Sequence, residues 1–169
     1  MKLEKYIRDI KDFPKPGIVF KDITPLLASA EAMQETTRQL LKTIPRNIDK
    51  VVGIEARGFF FGTLLAEHLN AGFVPIRKPG KLPYQTYDET YALEYGTDTL
   101  TMHIDAIQKD ERVLIHDDVL ATGGTAQAVA KLVEKAGGNV VMFSFLIELE
   151  FLNGKDKLKG YPISSLIKY

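Results

Sequence analysis

Two kinds of hydrophobic run alternate along this chain. Residues 51–54, 73–76, 113–115 and 140–147 are short and nearly uninterrupted in apolar side chains, the pattern of strands buried on both faces. Residues 30–43, 59–69 and 126–136 instead repeat apolar side chains at helical spacing. Ser29 is placed to cap the first of these helices and Pro45 to end it. Thr125 is placed to cap the last, whose apolar face carries Ala126, Val129, Ala130 and Val133 and which Gly137-Gly138 stops. Strands alternating with helices predict an α/β domain over residues 1–169, with a central, mostly parallel β-sheet flanked by helices. In such sheets ligands collect at the carboxyl ends of the strands, where the strand order reverses. Arg57 and Asp117 each follow an apolar strand run directly, so both are expected on that edge.

Two segments break the alternation. Residues 2–11 carry Leu3, Tyr6, Ile7 and Ile10 at helical spacing and predict a first helix, after which Pro14 and Pro16 interrupt and 18–23 becomes extended. Residues 78–103 are long, Tyr-rich and rich in turn formers; in a compact domain such a segment is usually a functional lid.

Charge and composition narrow the partners. The 22 basic and 22 acidic residues cancel, which argues against a general nucleic-acid or membrane partner. Positive charge is instead local, with Arg77, Lys78 and Lys81 in one loop; a solvated face is the plain alternative reading of that cluster. The absence of cysteine excludes disulfides and thiolate metal sites and fits a reducing cytoplasm. No apolar run approaches ~20 residues, so neither a membrane span nor a signal peptide is expected. His68, His103 and His116 are too scattered to form a metal-site spacing.

The richest chemistry lies in Arg112-Val-Leu-Ile-His-Asp-Asp-Val-Leu-Ala-Thr-Gly-Gly-Thr125. A buried strand leads into two carboxylates and then into a loop of small residues that opens a helix. Ala121, Thr122, Gly123, Gly124 and Thr125 offer consecutive backbone N–H groups with little side-chain obstruction. A helix dipole adds about 0.3–1 kcal/mol for an anion there, whereas each hydrogen bond to a charged partner contributes about 1.5–3 kcal/mol. The nest of donors should therefore dominate. Asp117 and Asp118 point to opposite faces of an extended backbone and need not share a proton. Beside a phosphate loop they can accept from ribose hydroxyls or hold Mg²⁺ through water. Neither the Walker pattern nor G-x-G-x-x-G is present, which argues against ATP-type and dinucleotide cradles. Gly53-Ile-Glu-Ala-Arg-Gly58 turns from strand to helix with Arg57 at its apex, a guanidinium suited to bidentate contact with diphosphate oxygens. The competing reading pairs Arg57 with neighbouring Glu55.

Residues 113–125 closely resemble the phosphoribosyl pyrophosphate (PRPP) motif of type I phosphoribosyltransferases. Segments 12–25, 53–59, 77–83 and 93–96 extend that resemblance over nearly the whole chain and match the adenine-specific members of the family best. The resemblance implies the type I phosphoribosyltransferase fold, with an N-terminal hood and base-binding segment over 1–27 and a flexible catalytic lid over 78–103. It implies adenine and PRPP as substrates, AMP and pyrophosphate as products, and Mg²⁺ held mainly by the diphosphate and water, with no direct protein metal ligand. Asp117 and Asp118 would hold the ribose hydroxyls, and Ala121, Thr122, Gly123, Gly124 and Thr125 the 5′-phosphate. Glu55, Ala56 and Arg57, with a cis peptide at Glu55–Ala56, would form the pyrophosphate loop, aided by Arg77, Lys78 and Lys81.

Val19, Phe20 and Lys21 match the adenine-reading segment of the family; Phe20 would stack on the base, and Val119 would cover its other face. Without the resemblance, Phe20 reads as a core aromatic. Glu94 and Arg57 match catalytic positions, and Tyr95 matches a lid site position, while Tyr84, Tyr87 and Tyr91 read as ribbon packing. A homodimer is implied, with Arg77 reaching the neighbouring active site. Two features depart from the family: Lys21 stands where many relatives have Arg, and His116 replaces the usual apolar residue. Proximity to Asp117 is expected to raise the His116 pKa, without a catalytic role. Two other readings stay open: a different purine (xanthine, or hypoxanthine and guanine), or a PRPP-sensing regulator.

Overall fold

The short apolar runs pair into one parallel sheet. In the computed structural model, which describes residues 1–93 and 95–169, β3 (Lys50–Ile54), β4 (Gly72–Ile76), β7 (Arg112–Leu120), β8 (Asn139–Glu148) and β9 (Ile163–Lys168) lie in the order β4-β3-β7-β8-β9. Every neighbouring pair is parallel. Helices α3 (Gly58–His68) and α4 (Gly124–Lys135) follow β3 and β7. β3 passes through α3 to β4 on one side, and β7 then pairs on the other side of β3. The strand order therefore reverses between β3 and β7, and the crevice at their carboxyl ends is where an α/β sheet binds ligands.

Residues Thr43–Tyr169, which contain this sheet, form one compact unit, and Met1–Lys42 form another. In the larger unit, Val52, Ile54, Ile115, Phe143 and Phe145 pack with Ala126, Val129 and Val133 of α4 in a buried cluster. The strands β5 (Thr86–Ala92) and β6 (Thr97–His103) form a separate antiparallel hairpin within the predicted lid, in register from Thr86↔His103 to Ala92↔Thr97. Tyr87 and Tyr91 of β5 pack against the α4 cluster, Glu89 pairs with Lys131 at 3.4 Å, and the Lys135 ammonium lies 5.4 Å from the Tyr87 ring centre. The hairpin is thus fastened along α4.

Three local expectations need correction. The predicted first helix is a single 3₁₀ turn, Leu3–Tyr6, followed by strand β1 (Arg8–Lys11). β1 pairs antiparallel with β2 (Val19–Asp22), and ion pairs across them (Lys21–Asp9 at 2.7 Å, Arg8–Asp22 at 3.7 Å) supply what local helical spacing could not reveal. The strand expected to end at residue 115 continues to Leu120, because β8 goes on pairing through Asp117↔Phe145 and Leu120↔Glu148. Both aspartates therefore lie inside a strand. Thr125 does not cap α4: the helix begins at Gly124, and Gly123 is its N-cap with φ 81°. Only glycine suits this position, since a Cβ there would also fall 2.3 Å from the Gly154 carbonyl oxygen. By contrast, α2 spans Ala30–Thr43 as expected, with the Ala32 N–H donating to Ser29 Oγ at 3.2 Å. Preceding it, α1 (Thr24–Leu27) has Ile23 at its N-cap, and Asp22 before it accepts from the Thr24 N–H at 2.9 Å and its hydroxyl at 2.8 Å.

Candidate active site

Alternation along β7 separates the two aspartates. Asp117 lies beside Phe145 on the α4 side of the sheet and lines a pocket with Val119, Ala121, Thr122, Gly123 and Thr125. That pocket is small, with a cavity volume of about 70 Å³, well below the ~300–1,000 Å³ usual for small-molecule sites. Asp118 is buried, and its Oδ2 lies 3.0 Å from Arg57 Nε. The predicted edge therefore brings together the residue after β3 and the pair at the end of β7. Arg57 pairs with Asp118, not with Glu55.

Burial raises both carboxyls above the usual range. For Asp117 the neighbouring Asp118 charge adds to that rise; for Asp118 the Arg57 guanidinium opposes it. The Asp118 N–H donates to Asp117 Oδ1 at 2.9 Å, linking the two groups. The pair is thus electrostatically coupled, which alternation alone did not suggest. Close packing explains why glycine starts α3: a Cβ on Gly58 would stand 2.9 Å from the His116 carbonyl oxygen and 3.0 Å from Asp117 Oδ1.

The turn after β3 contains a cis peptide at Glu55–Ala56, as the resemblance implies. Glu55 points away from Arg57 and binds the next loop: Oε1 lies 3.2 Å from Arg77 Nη2, and Oε2 accepts from the Lys78 N–H at 2.7 Å. Burial would raise the Glu55 carboxyl, but these two contacts outweigh it and hold it below its ordinary value. Lys78 Nζ in turn pairs with Asp98 on β6. Arg77 is also bridged to Thr101, with N–H···O contacts of 3.1 and 2.8 Å. Of the loop cations only Lys81 is exposed, whereas Arg77 and Lys78 are ion-paired to Glu55 and Asp98, so the cluster is not merely a solvated face.

His116 is fully buried, its ring edge-on to Phe61 at 6.5 Å. Burial pushes its pKa down to about 4, the opposite of the expected rise; the Ser144 backbone opposes this only weakly, and loss of hydration outweighs any effect of Asp117. Lys157, far along the chain from the loop and not signalled by any motif, brings its ammonium to 3.6 Å from where a Cβ of residue 124 would stand. Tyr91 reaches the same loop through Thr125.

Within the smaller unit, Val19 is exposed, Phe20 is half-buried with its ring 5.2 Å from Phe13, and Lys21 holds Asp9. Tyr95 is 80% exposed. Glu94 lies outside the described residues. Among the described residues no group of three or more His, Cys, Asp or Glu could hold a metal ion, and no helix is long and apolar enough to cross a membrane.

The model of the phosphoribosyl transferase domain matches residues 20–160. An adenine phosphoribosyltransferase from Christiangramia forsetii is 63% identical over 170 residues, covering 100% of this chain and 99% of its own. The crystal structure of adenine phosphoribosyltransferase from Thermoanaerobacter pseudethanolicus superposes with a TM-score of 0.97 at 54% identity, covering 99% of this chain and 98% of its own. The enzyme from Trypanosoma brucei, solved in complex with AMP, pyrophosphate and ribose-5-phosphate, gives a TM-score of 0.89 at 26% identity, covering 99% of this chain and 78% of its own.

Proposed function

The chain belongs to the phosphoribosyl transferase domain family, and from that premise we propose that it transfers the 5-phosphoribosyl group of PRPP to N9 of adenine, giving AMP and pyrophosphate. One observation carries the reading. Asp117, Val119, Ala121, Thr122, Gly123 and Thr125 share a pocket at the switch point, and Arg57 binds Asp118, the chain neighbour of Asp117. Relatives more than 60% identical over their full length are named for adenine, which disfavours a 6-oxo purine or a sensor.

In this reading the backbone donors of Ala121–Thr125 fix the 5′-phosphate, while Asp117 and Asp118 accept from the ribose hydroxyls. The anomeric carbon is thereby held between a leaving diphosphate and an incoming base, so positioning and charge neutralisation account for most of the acceleration. The bond from C1′ to the diphosphate oxygen breaks as N9 of adenine bonds to C1′. Arg57, Lys78, Lys81 and Arg77 meet the charge on the departing pyrophosphate. The proton lost by the base passes to Glu94. Phe20 stacks on adenine and backbone groups near Val19 and Lys21 read its edge, Val119 is assigned to the base as well, and Tyr95 belongs to the lid.

The donor chemistry fits Mg²⁺. Two adjacent carboxylates, Asp118 buried and Asp117 partly so, both resist ionisation, and a hard cation nearby would relieve them. Asp117 and Asp118 would hold it through water, with diphosphate oxygens as its main ligands, and it would neutralise charge on the leaving group. A homodimer with Arg77 serving the neighbouring site is part of the same proposal. In the single chain Arg77 is paired with Glu55, so that contact must yield for it to reach across. Mixing Arg77→Ala chains with chains inactive at Asp117 should restore activity; no restoration would confine Arg77 to its own site. The cysteine-free sequence supports a cytoplasmic location.

Calorimetry with PRPP tests the sugar-binding assignment. Asp117→Asn with Asp118→Asn should lose at least about tenfold in affinity, as expected when charge-assisted hydrogen bonds weaken. Wild-type affinity in that double variant would remove the pair from the sugar site.

A further inference from the structure

Four polar side chains link the loop after β4 to the N-terminus of α4. Lys78 Nζ donates to Asp98 Oδ2. The Tyr91 hydroxyl lies 3.4 Å from that same Asp98 oxygen and 3.2 Å from Thr125 Oγ1. At the other end, the Lys78 N–H donates to Glu55 Oε2 at 2.7 Å. The series Glu55–Lys78–Asp98–Tyr91–Thr125 therefore connects the turn carrying Arg57 with the phosphate loop, by way of the hairpin. The Tyr91 ring is held in place: it packs on the α4 cluster, and a Cβ at residue 124 would stand 3.5 Å from its Cδ2.

The hydrogens along this series can be counted. Asp98, held ionised by Lys78, only accepts. Tyr91 and Thr125 have one hydroxyl hydrogen each. If Tyr91 donates to Asp98, Thr125 must donate to Tyr91, and its hydrogen then faces away from the loop. A phosphate monoester is rich in acceptors, so Thr125 must turn its hydrogen to the phosphate when one binds. Tyr91 can then donate to Thr125, which leaves Asp98 Oδ2 to Lys78, while Oδ1 keeps the Thr99 N–H at 2.8 Å.

We propose that Tyr91 is a positioning residue whose hydroxyl reverses its hydrogen bond when the 5′-phosphate binds, so that occupancy of the 121–125 loop is transmitted through Asp98 to Lys78 on the diphosphate side. The proposal rests on the reading of 121–125 as the 5′-phosphate loop. It makes Tyr91 more than ribbon packing, and it gives the hairpin a means of sensing which half of the substrate is present.

Titration calorimetry with ribose 5-phosphate and with magnesium pyrophosphate, each alone and each with the other saturating, tests it. The full-length wild type should bind each ligand about fivefold or more differently when the other is saturating than when it is absent, in the range of measured couplings between sites. Tyr91→Phe keeps the ring, so it should bind pyrophosphate alone as the wild type does. It should lose about 3- to 10-fold in ribose 5-phosphate affinity, the size of one hydrogen bond, and show a coupling ratio near one. Asp98→Asn should also uncouple the ligands while binding ribose 5-phosphate within about twofold of wild type. Wild-type affinity and coupling in Tyr91→Phe would overturn the relay alone. An equal loss for both ligands with coupling intact would make Tyr91 merely structural and would also overturn it. Failure of the wild type itself to bind ribose 5-phosphate would overturn the phosphate-loop reading and the relay together.

Discussion

Acidification should weaken this fold through one side chain, His116. Its ring is fully buried, and its pKa falls from 6.5 to about 4 on folding. The sign follows from which state takes the proton. Below pH 6.5 the unfolded chain protonates this histidine while the folded chain does not, so stability is lost as pH falls from 6.5 towards 4. Linkage gives a loss of about 2 kcal/mol by pH 5 and about 3 kcal/mol by pH 4 from this residue alone. In a domain of this size that corresponds to roughly 6–12 °C in melting temperature at the acid end. Carboxylates titrate over part of the same range, so the test is the difference between wild type and His116→Leu, which retains an apolar side chain of similar size. Urea unfolding at 25 °C from pH 7.5 to 4 should show the stability gap moving in favour of the variant by about 2–3 kcal/mol. Parallel curves would mean that His116 is hydrated or partnered in the folded chain, and the burial argument would fail.

Other expectations follow from the same geometry. Folding binds the Asp117 proton more tightly, so this group's stabilising contribution exists at acid pH and is lost as pH rises through its raised folded value; Asp117→Asn should therefore stabilise the unliganded protein at pH 7 by about 0.5–2 kcal/mol, measured by thermal melting. A neutral or destabilising result would show that Arg57 already compensates the charge. Gly123→Ala adds left-handed strain of roughly 1–2 kcal/mol to a clash with the Gly154 carbonyl of roughly 1–3 kcal/mol, whereas Gly80→Ala, at φ 78° with nothing within 4 Å, should show only the strain. Equal melting shifts for the two would argue against the close approach at Gly154. Glu94→Gln should lower turnover about 100-fold or more while leaving PRPP affinity nearly unchanged; unchanged turnover would remove Glu94 from the proton transfer.

Much of the sheet was legible because parallel strands buried on both faces leave unbroken apolar runs. β3, β4 and β8 fall within about two residues of the runs at 51–54, 73–76 and 140–147. The edge strand β9 was not legible: Ile-Ser-Ser-Leu-Ile-Lys has no strong run and gains its conformation only by pairing with β8. Residues 2–11 misled because helical spacing of apolar residues is a local signal, whereas the ion pairs joining β1 to β2 connect residues about a dozen positions apart. The site showed the same division. Donor loop, acidic pair and apex arginine could be read from residue type and order. That Arg57 grips Asp118, that Glu55 turns to Arg77 and Lys78, and that Tyr91 meets Thr125 depends on side chains 22 to 61 positions apart. No local pattern records contacts of that kind.

The central claim is the identity of the reaction. A PRPP-dependent assay across adenine, hypoxanthine, guanine, xanthine and orotate, with magnesium present and pyrophosphate release measured, tests it most directly. Adenine should yield AMP and one equivalent of pyrophosphate, with the 6-oxo purines and orotate slower by orders of magnitude. Preference for a 6-oxo purine would contradict the adenine assignment, and PRPP binding without pyrophosphate release for any base would contradict the enzyme itself.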